Sequence, residues 1–421
     1  MRVTLLPSET SGVITAPPSK SYMHRALILS AAADKSTKIK CATFSEDIKA
    51  TMSCLEALGA EFEIKKDYII VKPIDRTKND DKECVLDCFE SGSTLRFMLP
   101  FAAALGKKCT FTGAPRLGER PLLPLLSALR ENGVEITHSE NSFLPCKLEG
   151  KLKGKDFTVP GDVSSQFITG LLFALGVAGG GKIVTTTPLE SGPYIDITLD
   201  MQKKFGVTAK KMPYGYLIEE NQHYISPDAV EIEGDYSNAA FWLVAGAIGK
   251  GGIRCEGIRE NSLQGDRKIT DILSQMGANI QMDKNSVTVY PSQLKATNID
   301  AADIPDIVPI LCVASCSASG ETVISNIKRL REKESDRVES TVNMLSELGA
   351  DIEASENTIT RRKSTLGAGV IDSANDHRIA MSGAIASLIA NGEVTIENSG
   401  AVKKSYPDFF EKFQMLGGKI L

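Results

Sequence analysis

An amphipathic, helix-like stretch that ends in glycine and runs into a short strand recurs six times in this chain. The glycines sit in Leu58-Gly59-Ala60, Asn132-Gly133-Val134, Phe205-Gly206-Val207, Met276-Gly277-Ala278, Leu348-Gly349-Ala350 and Leu416-Gly417-Gly418. Successive ones are 74, 73, 71, 72 and 68 residues apart. A glycine at such a place suits the left-handed residue that closes a helix. Six units of that period account for all 421 residues, a length too great for one ordinary core and one that divides naturally as three units plus three. A solenoid is disfavoured by the period itself, since stacked solenoid units usually run about 20 to 50 residues.

A second series is offset from the first. Ser21, Ser93, Ser165 and Ser237 follow one another at steps of 72, then Asp306 and Asp376 at steps of 69 and 70. Ser or Asp is the chemistry of an N-cap or a first helical turn, so these positions predict six further helix starts. The segments that follow, such as Phe167 to Gly176, Phe241 to Ala247 and Ile379 to Ala390, are apolar on most faces and predict buried helices. Between them stand strand-like runs, among them Tyr68-Ile69-Ile70-Val71, Lys182-Ile183-Val184-Thr185, Ser286-Val287-Thr288-Val289-Tyr290 and Val394-Thr395-Ile396. Each unit therefore mixes strands with two helices, which makes the fold class α/β. Buried helices whose N-termini share a face would offer unsatisfied N–H groups and partial positive charge, a trap for anions.

Composition narrows the function. The net charge of −5 gives no chain-wide basic field for nucleic acid. No 18-residue apolar run and no signal-peptide core occur, which predicts a cytoplasmic protein without a membrane partner. The nine cysteines sit mostly in apolar segments such as Leu311-Cys312-Val313-Ala314-Ser315-Cys316, as reduced core thiols do. With four histidines and no complete zinc quartet around Cys84/Cys88 or Cys312/Cys316, no metal site is expected.

The residues at the helix starts carry the chemistry. Pro17-Pro18-Ser19-Lys20-Ser21 leads toward Arg25, and Glu90-Ser91-Gly92-Ser93-Thr94-Leu95-Arg96 combines hydroxyls, an arginine and a glycine that lets a ligand approach the backbone. Val163-Ser164-Ser165-Gln166 adds three polar side chains before an apolar run. Taken alone each cluster is an ordinary cap; recurrence at equivalent positions is what singles them out. Outer helices add Gly118-Glu119-Arg120-Pro121, Ser191-Gly192-Pro193-Tyr194, Lys403-Lys404-Ser405-Tyr406-Pro407 and the run Arg331 to Arg337, where Lys333 and Arg337 are spaced to share one helical face. If Lys20, Arg25, Arg96, Arg120, Lys333, Arg337, Arg378 and Lys404 converge, eight cations face Asp306 and Glu334. That surplus calls for strongly anionic substrates.

In order along the whole chain, these motifs resemble those of the 5-enolpyruvylshikimate-3-phosphate synthase family of enolpyruvyl transferases. The resemblance is carried by Pro18-Ser19-Lys20-Ser21 with Arg25, Ser91 to Arg96, Glu119-Arg120-Pro121, Ser164-Ser165-Gln166, Pro193-Tyr194-Ile195-Asp196, Ile304-Pro305-Asp306, Lys333 to Arg337, Asn375 to Arg378, and Lys404 to Asp408. It implies two inverse α/β barrel-like domains, each of three βαβαββ units, with the active site in the interdomain cleft. The domains would be 15–231, and 1–14 with 232–421.

The resemblance also implies transfer of the enolpyruvyl group of phosphoenolpyruvate to the 5-hydroxyl of shikimate 3-phosphate, in aromatic amino-acid biosynthesis, by a monomer needing neither cofactor nor metal. Ser21, Arg25, Ser164, Ser165, Ser191, Tyr194, Asp306 and Lys333 would hold shikimate 3-phosphate. Gly92, Arg96, Arg120, Arg337, Arg378 and Lys404 would hold phosphoenolpyruvate, and Lys20 and Gln166 would touch both. Asp306, Glu334 and Lys20 would be catalytic. Glyphosate, a mimic of phosphoenolpyruvate, targets the family. Two positions depart from its pattern, since Glu90 and Arg329 stand where asparagines are usual. The related UDP-N-acetylglucosamine enolpyruvyl transferases normally carry a reactive cysteine ahead of the Arg-Pro, and the segment Gly113 to Pro121 has none.

Overall fold

The structure is a computed structural model and describes residues 1–41, 43–77 and 82–421. Its contacts divide the chain into two compact units, Lys20–Ile232 and Met1–Ser19 with Glu233–Leu421. Each unit has its own apolar core.

One sheet of the Lys20–Ile232 unit shows the building rule. Strands Cys84–Asp87 and Cys109–Thr112 are parallel, and the helix Gly92–Leu105 joins them. Parallel neighbours need a crossover of about a dozen residues or more, and a buried helix supplies it. After the helix Leu123–Glu131 comes an antiparallel pair, Glu135–Thr137 and Cys146–Glu149, whose later strand lies against the parallel pair. The result is βαβαββ, with the fourth strand third in order.

Asp156–Val159, Gly181–Thr185, Ala209–Met212 and Gly215–Ile218 repeat that order around the helix Ser165–Ala178, and Ile299–Asp300 to Thr358–Arg362 repeat it in the other unit around Val308–Ser317. Three further sheets follow the rule only by borrowing a strand from far away in sequence. Ala229–Glu231 lies parallel to Thr37–Lys40, Gly12–Thr15 lies parallel to Ile253–Glu256, and Val3–Leu6 sits between Val394–Glu397 and Lys419–Ile420. Among the described residues there are thus six four-stranded sheets of one topology, three in each unit.

The six repeat glycines close helices as expected, with φ of +105°, +87°, +81°, +90°, +83° and +104° in chain order. The predicted starts need adjustment by a residue or two. Ser21, Ser93 and Ser237 are each the second residue of a helix, and Ser165 is the first of its own. Side-chain caps come from earlier positions: Ser91 accepts from the Thr94 amide, Ser164 from Gln166 and Asp235 from Asn238. Capping requires extended backbone, which those residues adopt and the helical serines do not. Asp306 lies in the 3₁₀ turn Pro305–Ile307 ahead of its helix, and Asp376 caps the helix His377–Ala386.

Helices Gly92–Leu105 and Ser165–Ala178 pack closely, and a Cβ at Gly170 would come within 2.3 Å of the Arg96 carbonyl oxygen. All nine cysteines are unbonded, and burial pushes several of the thiols up, Cys109 and Cys255 to about 12. No helix among the described residues is long and apolar enough to cross a membrane.

Two alanine substitutions separate strain from clash. At Gly277, where a Cβ would meet only the Gln293 carbonyl at 3.7 Å, alanine is expected to cost about 1 kcal/mol through the left-handed backbone alone. At Gly170 the backbone contact makes the expected loss about 3 kcal/mol, and urea denaturation of the two variants measures both.

Candidate active site

In the Lys20–Ile232 unit, three buried helices start with polar turns, and arginines tie these turns together. Arg25 is buried; its Nε donates to Thr198 Oγ1 at 2.8 Å, and its two terminal nitrogens donate to the carbonyls of Ser21 and Tyr194, each at 2.7 Å. Its guanidinium carbon lies 5.5 Å from the centroid of the Phe97 ring. Burial lowers Arg25 to about 10, which leaves it charged at neutral pH. Arg96 donates to Gln166 Oε1 at 2.7 Å and to the Pro121 carbonyl at 2.9 Å, while Gln166 Nε2 donates to Ser93 Oγ at 2.8 Å. Arg120 lies directly over Gly92, where an added Cβ would be 2.8 Å from its Nη1.

The remaining predicted residues of this unit fall around those groups. Lys20, the first residue of its helix, pairs with Asp47 at 2.7 Å. Ser164 caps the helix on which Ser165 and Gln166 are the first two residues. Ser191 holds a left-handed conformation, φ +55°, at the start of the helix Gly192–Lys204 that carries Tyr194. Behind them runs a hydroxyl chain: His24 Nδ1 to Thr51 at 2.8 Å, Thr51 to Thr94 at 2.7 Å, and Thr94 to Ser91 at 2.8 Å. Burial, then the charges of Lys20 and Arg25, hold His24 well below its ordinary pKa, so it is neutral.

The second unit gathers its groups around one arginine. Arg337 is 1% exposed and meets three carboxylates: Asp306 at 2.8 Å, Glu334 at 2.5 Å and Asp376 at 2.9 Å. Burial opposes its charge, but these partners raise its pKa. Asp306 also lies 3.5 Å from Arg378 Nη2. Burial works against the Asp306 carboxylate, yet Arg378, Lys333 and Arg337 outweigh burial and hold it well below the usual carboxylate range. Lys333 is lowered to about 8, first by burial, with Asp306 pulling the other way. Lys404, buried, donates to the Asn375 carbonyl at 2.5 Å.

The expectation that Lys333 and Arg337 share a helical face is overturned. The helix begins at Arg337, capped by Asp336, and Lys333 stands outside it in extended backbone, φ −88° and ψ −160°. Both nevertheless act on Asp306, Arg337 by an ion pair at 2.8 Å and Lys333 by its charge, with the 3₁₀ segment Lys328–Glu332 ahead of them in place of a continuous helix. Of the departures, Arg329 donates to the Ala302 carbonyl at 2.7 Å, next to the segment that carries Asp306.

Residues 6–413 match the family described as EPSP synthase (3-phosphoshikimate 1-carboxyvinyltransferase). The chain belongs to the EPSP synthase family. Its curated relatives include the 3-phosphoshikimate 1-carboxyvinyltransferases of Clostridium kluyveri, 44% identical over 99% of this chain and 98% of the relative, and of Clostridium novyi, 42% identical over the same shares. Among solved structures, an EPSP synthase from Acinetobacter baumannii superposes with a TM-score of 0.83 at 26% identity, covering 100% of this chain and 99% of the other. The enolpyruvyl transferase NikO from Streptomyces tendae shares the fold, with a TM-score of 0.80 at 16% identity over 100% and 98% of the two chains.

Sequence reading of this EPSP synthase family member missed the acids that balance its cations. Asp47, partner of Lys20, is in the first turn of the helix Glu46–Ala57 and reads in sequence as an ordinary helix-start acid. Asp376 was visible as a cap, but its grip on Arg337 was not. Asn238, 3.5 Å from Arg378 Nη1, gave no signal beyond a polar residue at a helix start.

Replacing Arg337 by methionine leaves Asp306, Glu334 and Asp376 without their shared cation. The expected loss of stability is about 3 to 5 kcal/mol, read as a lowered urea midpoint. A loss under about 1 kcal/mol would show that the carboxylates do not depend on it.

Proposed function

We infer that this chain transfers the enolpyruvyl group of phosphoenolpyruvate to the 5-hydroxyl of shikimate 3-phosphate, giving 5-enolpyruvylshikimate 3-phosphate and phosphate, as its family does. One structural observation carries the reading to particular residues: Asp306, a quarter exposed, is kept ionised by cations that outweigh its burial. A carboxylate so held carries no proton at neutral pH, and its basicity rises when an incoming anion takes over the cations that hold it, which fits it to accept a hydroxyl proton in the loaded site.

The chemistry adds a proton to the methylene carbon of phosphoenolpyruvate and bonds the 5-oxygen to the neighbouring carbon. A tetrahedral intermediate then loses phosphate and a methyl proton to restore the double bond. Asp306 takes the hydroxyl proton; Glu334, 2.5 Å from Arg337, relays the proton at carbon, with Lys20 assisting. Ser21, Arg25, Ser164, Ser165, Ser191, Asp306 and Lys333 bind shikimate 3-phosphate, and Tyr194 lines its ring. Gly92, Arg96, Arg120, Arg337, Arg378 and Lys404 bind phosphoenolpyruvate, whose anionic groups compete with the carboxylates on Arg337. Lys20 and Gln166 serve both. Orientation and charge stabilisation do most of the work.

The same reading makes the two units domains of 15–231 and of 1–14 with 232–421, supported by the division of contacts near both junctions. It also assigns a monomer working in the cytoplasm without nucleic-acid or membrane partners, in keeping with the net charge of −5.

Phosphate release from phosphoenolpyruvate tests the activity. Release with shikimate 3-phosphate, abolished in Asp306→Ala, is the expected outcome; release only with UDP-N-acetylglucosamine would move the chain to that chemistry, and no release with either would leave a binding protein. A pH series tests the role of Lys333. Its pKa near 8 means that the positive charge is present below pH 8 and lost above it, so kcat/KM for shikimate 3-phosphate should fall above pH 8. Lys333→Arg should carry that limb to higher pH.

A further inference from the structure

Asp266 lies outside the machinery described so far, in the 3₁₀ turn Gly265–Arg267, and is 2% exposed. Its Oδ2 accepts a hydrogen bond from Ser237 Oγ, and its Oδ1 has no hydrogen-bond partner among the described residues. A buried carboxyl with one oxygen unpaired is costly and calls for a reason. Ser237 is followed by Asn238, whose Oδ1 is 3.5 Å from Arg378 Nη1 and whose Nδ2 donates to Ser405 Oγ at 3.1 Å. Arg378 is held loosely for a buried cation: its Nε has no hydrogen-bond partner among the described residues, and its side-chain contacts with Asp306 and Asn238 are both 3.5 Å long. Ser405 adjoins Lys404.

We propose that Asp266 is a positioning residue for Arg378 and, through the Ser405 turn, for Lys404, acting through Ser237 on the entrance of the helix Tyr236–Ile248 that places Asn238 against Arg378 and Ser405. The inference rests on the reading of these two cations as ligands of phosphoenolpyruvate. Charged groups act on Asp266 from three neighbouring segments: Asp306 from the turn Pro305–Ile307, Arg378 from the helix His377–Ala386 and Asp235 at the cap of the helix Tyr236–Ile248, while Arg267, next to it on its own turn, faces Asp271 at 3.9 Å. Burial, then the charge of Asp306, lifts the Asp266 carboxyl to about 7, against the Ser237 hydrogen bond and Arg378. Protonated, Asp266 leaves Arg378 to Asp306 and to an incoming anion. Ionised, it draws Arg378 to itself and repels that anion.

Steady-state kinetics of the full chain across pH 6 to 8.5 test the proposal. The wild type should lose kcat/KM for phosphoenolpyruvate as pH rises through about 7. Asp266→Asn, permanently neutral, should match the wild type within about twofold at pH 6 and lose less as pH rises, the titration of the substrate's own phosphate being common to both. Asp266→Ala should raise KM for phosphoenolpyruvate about tenfold at every pH and leave KM for shikimate 3-phosphate within about twofold. Should both Asp266 variants fail to fold, Ser237→Ala keeps the test open. Loss of the bond that favours ionisation should move the same limb to higher pH.

Superimposable pH profiles of wild type and Asp266→Asn, an unmoved limb in Ser237→Ala, or parallel rises in both KM values would overturn the proposal. A wild type that releases no phosphate from the two substrates would instead overturn the functional reading beneath it.

Discussion

A helix that is apolar on almost every face can be buried only if the unsatisfied groups at its ends find partners. Six such helices occur among the described residues, one per sheet, and the need to satisfy their first turns gathers the polar residues of both units. Ser91, Ser164, Asp235 and Asp376 cap them. Arg25, Arg96 and Arg378 then grow from the first or second turn of those helices and cross to neighbouring turns. In the proposed function, capping and anion binding thus draw on the same donors and the same places, and no separate device has to be added to the fold to produce a charged site.

The cost of that arrangement is electrostatic. Cations held in buried first turns repel one another, and each unit answers with its own acids. The Lys20–Ile232 unit sets Asp47 against Lys20 and spends carbonyl and hydroxyl oxygens on Arg25 and Arg96. The other unit surrounds Arg337 with three carboxylates. In the proposed function an anionic substrate would therefore replace partners already present instead of filling an empty basic hole, and selectivity would rest on how well it matches them.

Much of this was legible in the sequence, because it rests on local rules. The six closing glycines could be read from spacing, since a helix end that needs a left-handed residue leaves few alternatives. The polar entrances could be read from hydroxyls before apolar runs. What could not be read depends on where the chain goes afterwards. Lys333 and Arg337 look like one helical face until the break between Glu332 and Arg337 is known. Asp266 looks like a surface acid of a Gly-Asp-Arg turn and proves to be buried beside Ser237. Asp47 sits 27 residues from Lys20, and no periodicity links the two. Side-chain pairing across elements is decided by tertiary packing, which a single sequence records only as residue types.

The borrowed strands bear on the order in which the molecule can be finished. Val3–Leu6 and Gly12–Thr15 precede the Lys20–Ile232 unit in the chain, yet their neighbours, Ile253–Glu256, Val394–Glu397 and Lys419–Ile420, follow it. Gly12–Thr15 stays unpaired until Ile253–Glu256 is made, and Val3–Leu6 until Val394–Glu397 and Lys419–Ile420 are made. The Lys20–Ile232 unit, in contrast, carries every strand of its three sheets within its own length and can be completed while the rest is still being made. The same asymmetry makes segments far apart in sequence a single structural neighbourhood: loss of Val3–Leu6 would open the sheet between Val394–Glu397 and Lys419–Ile420.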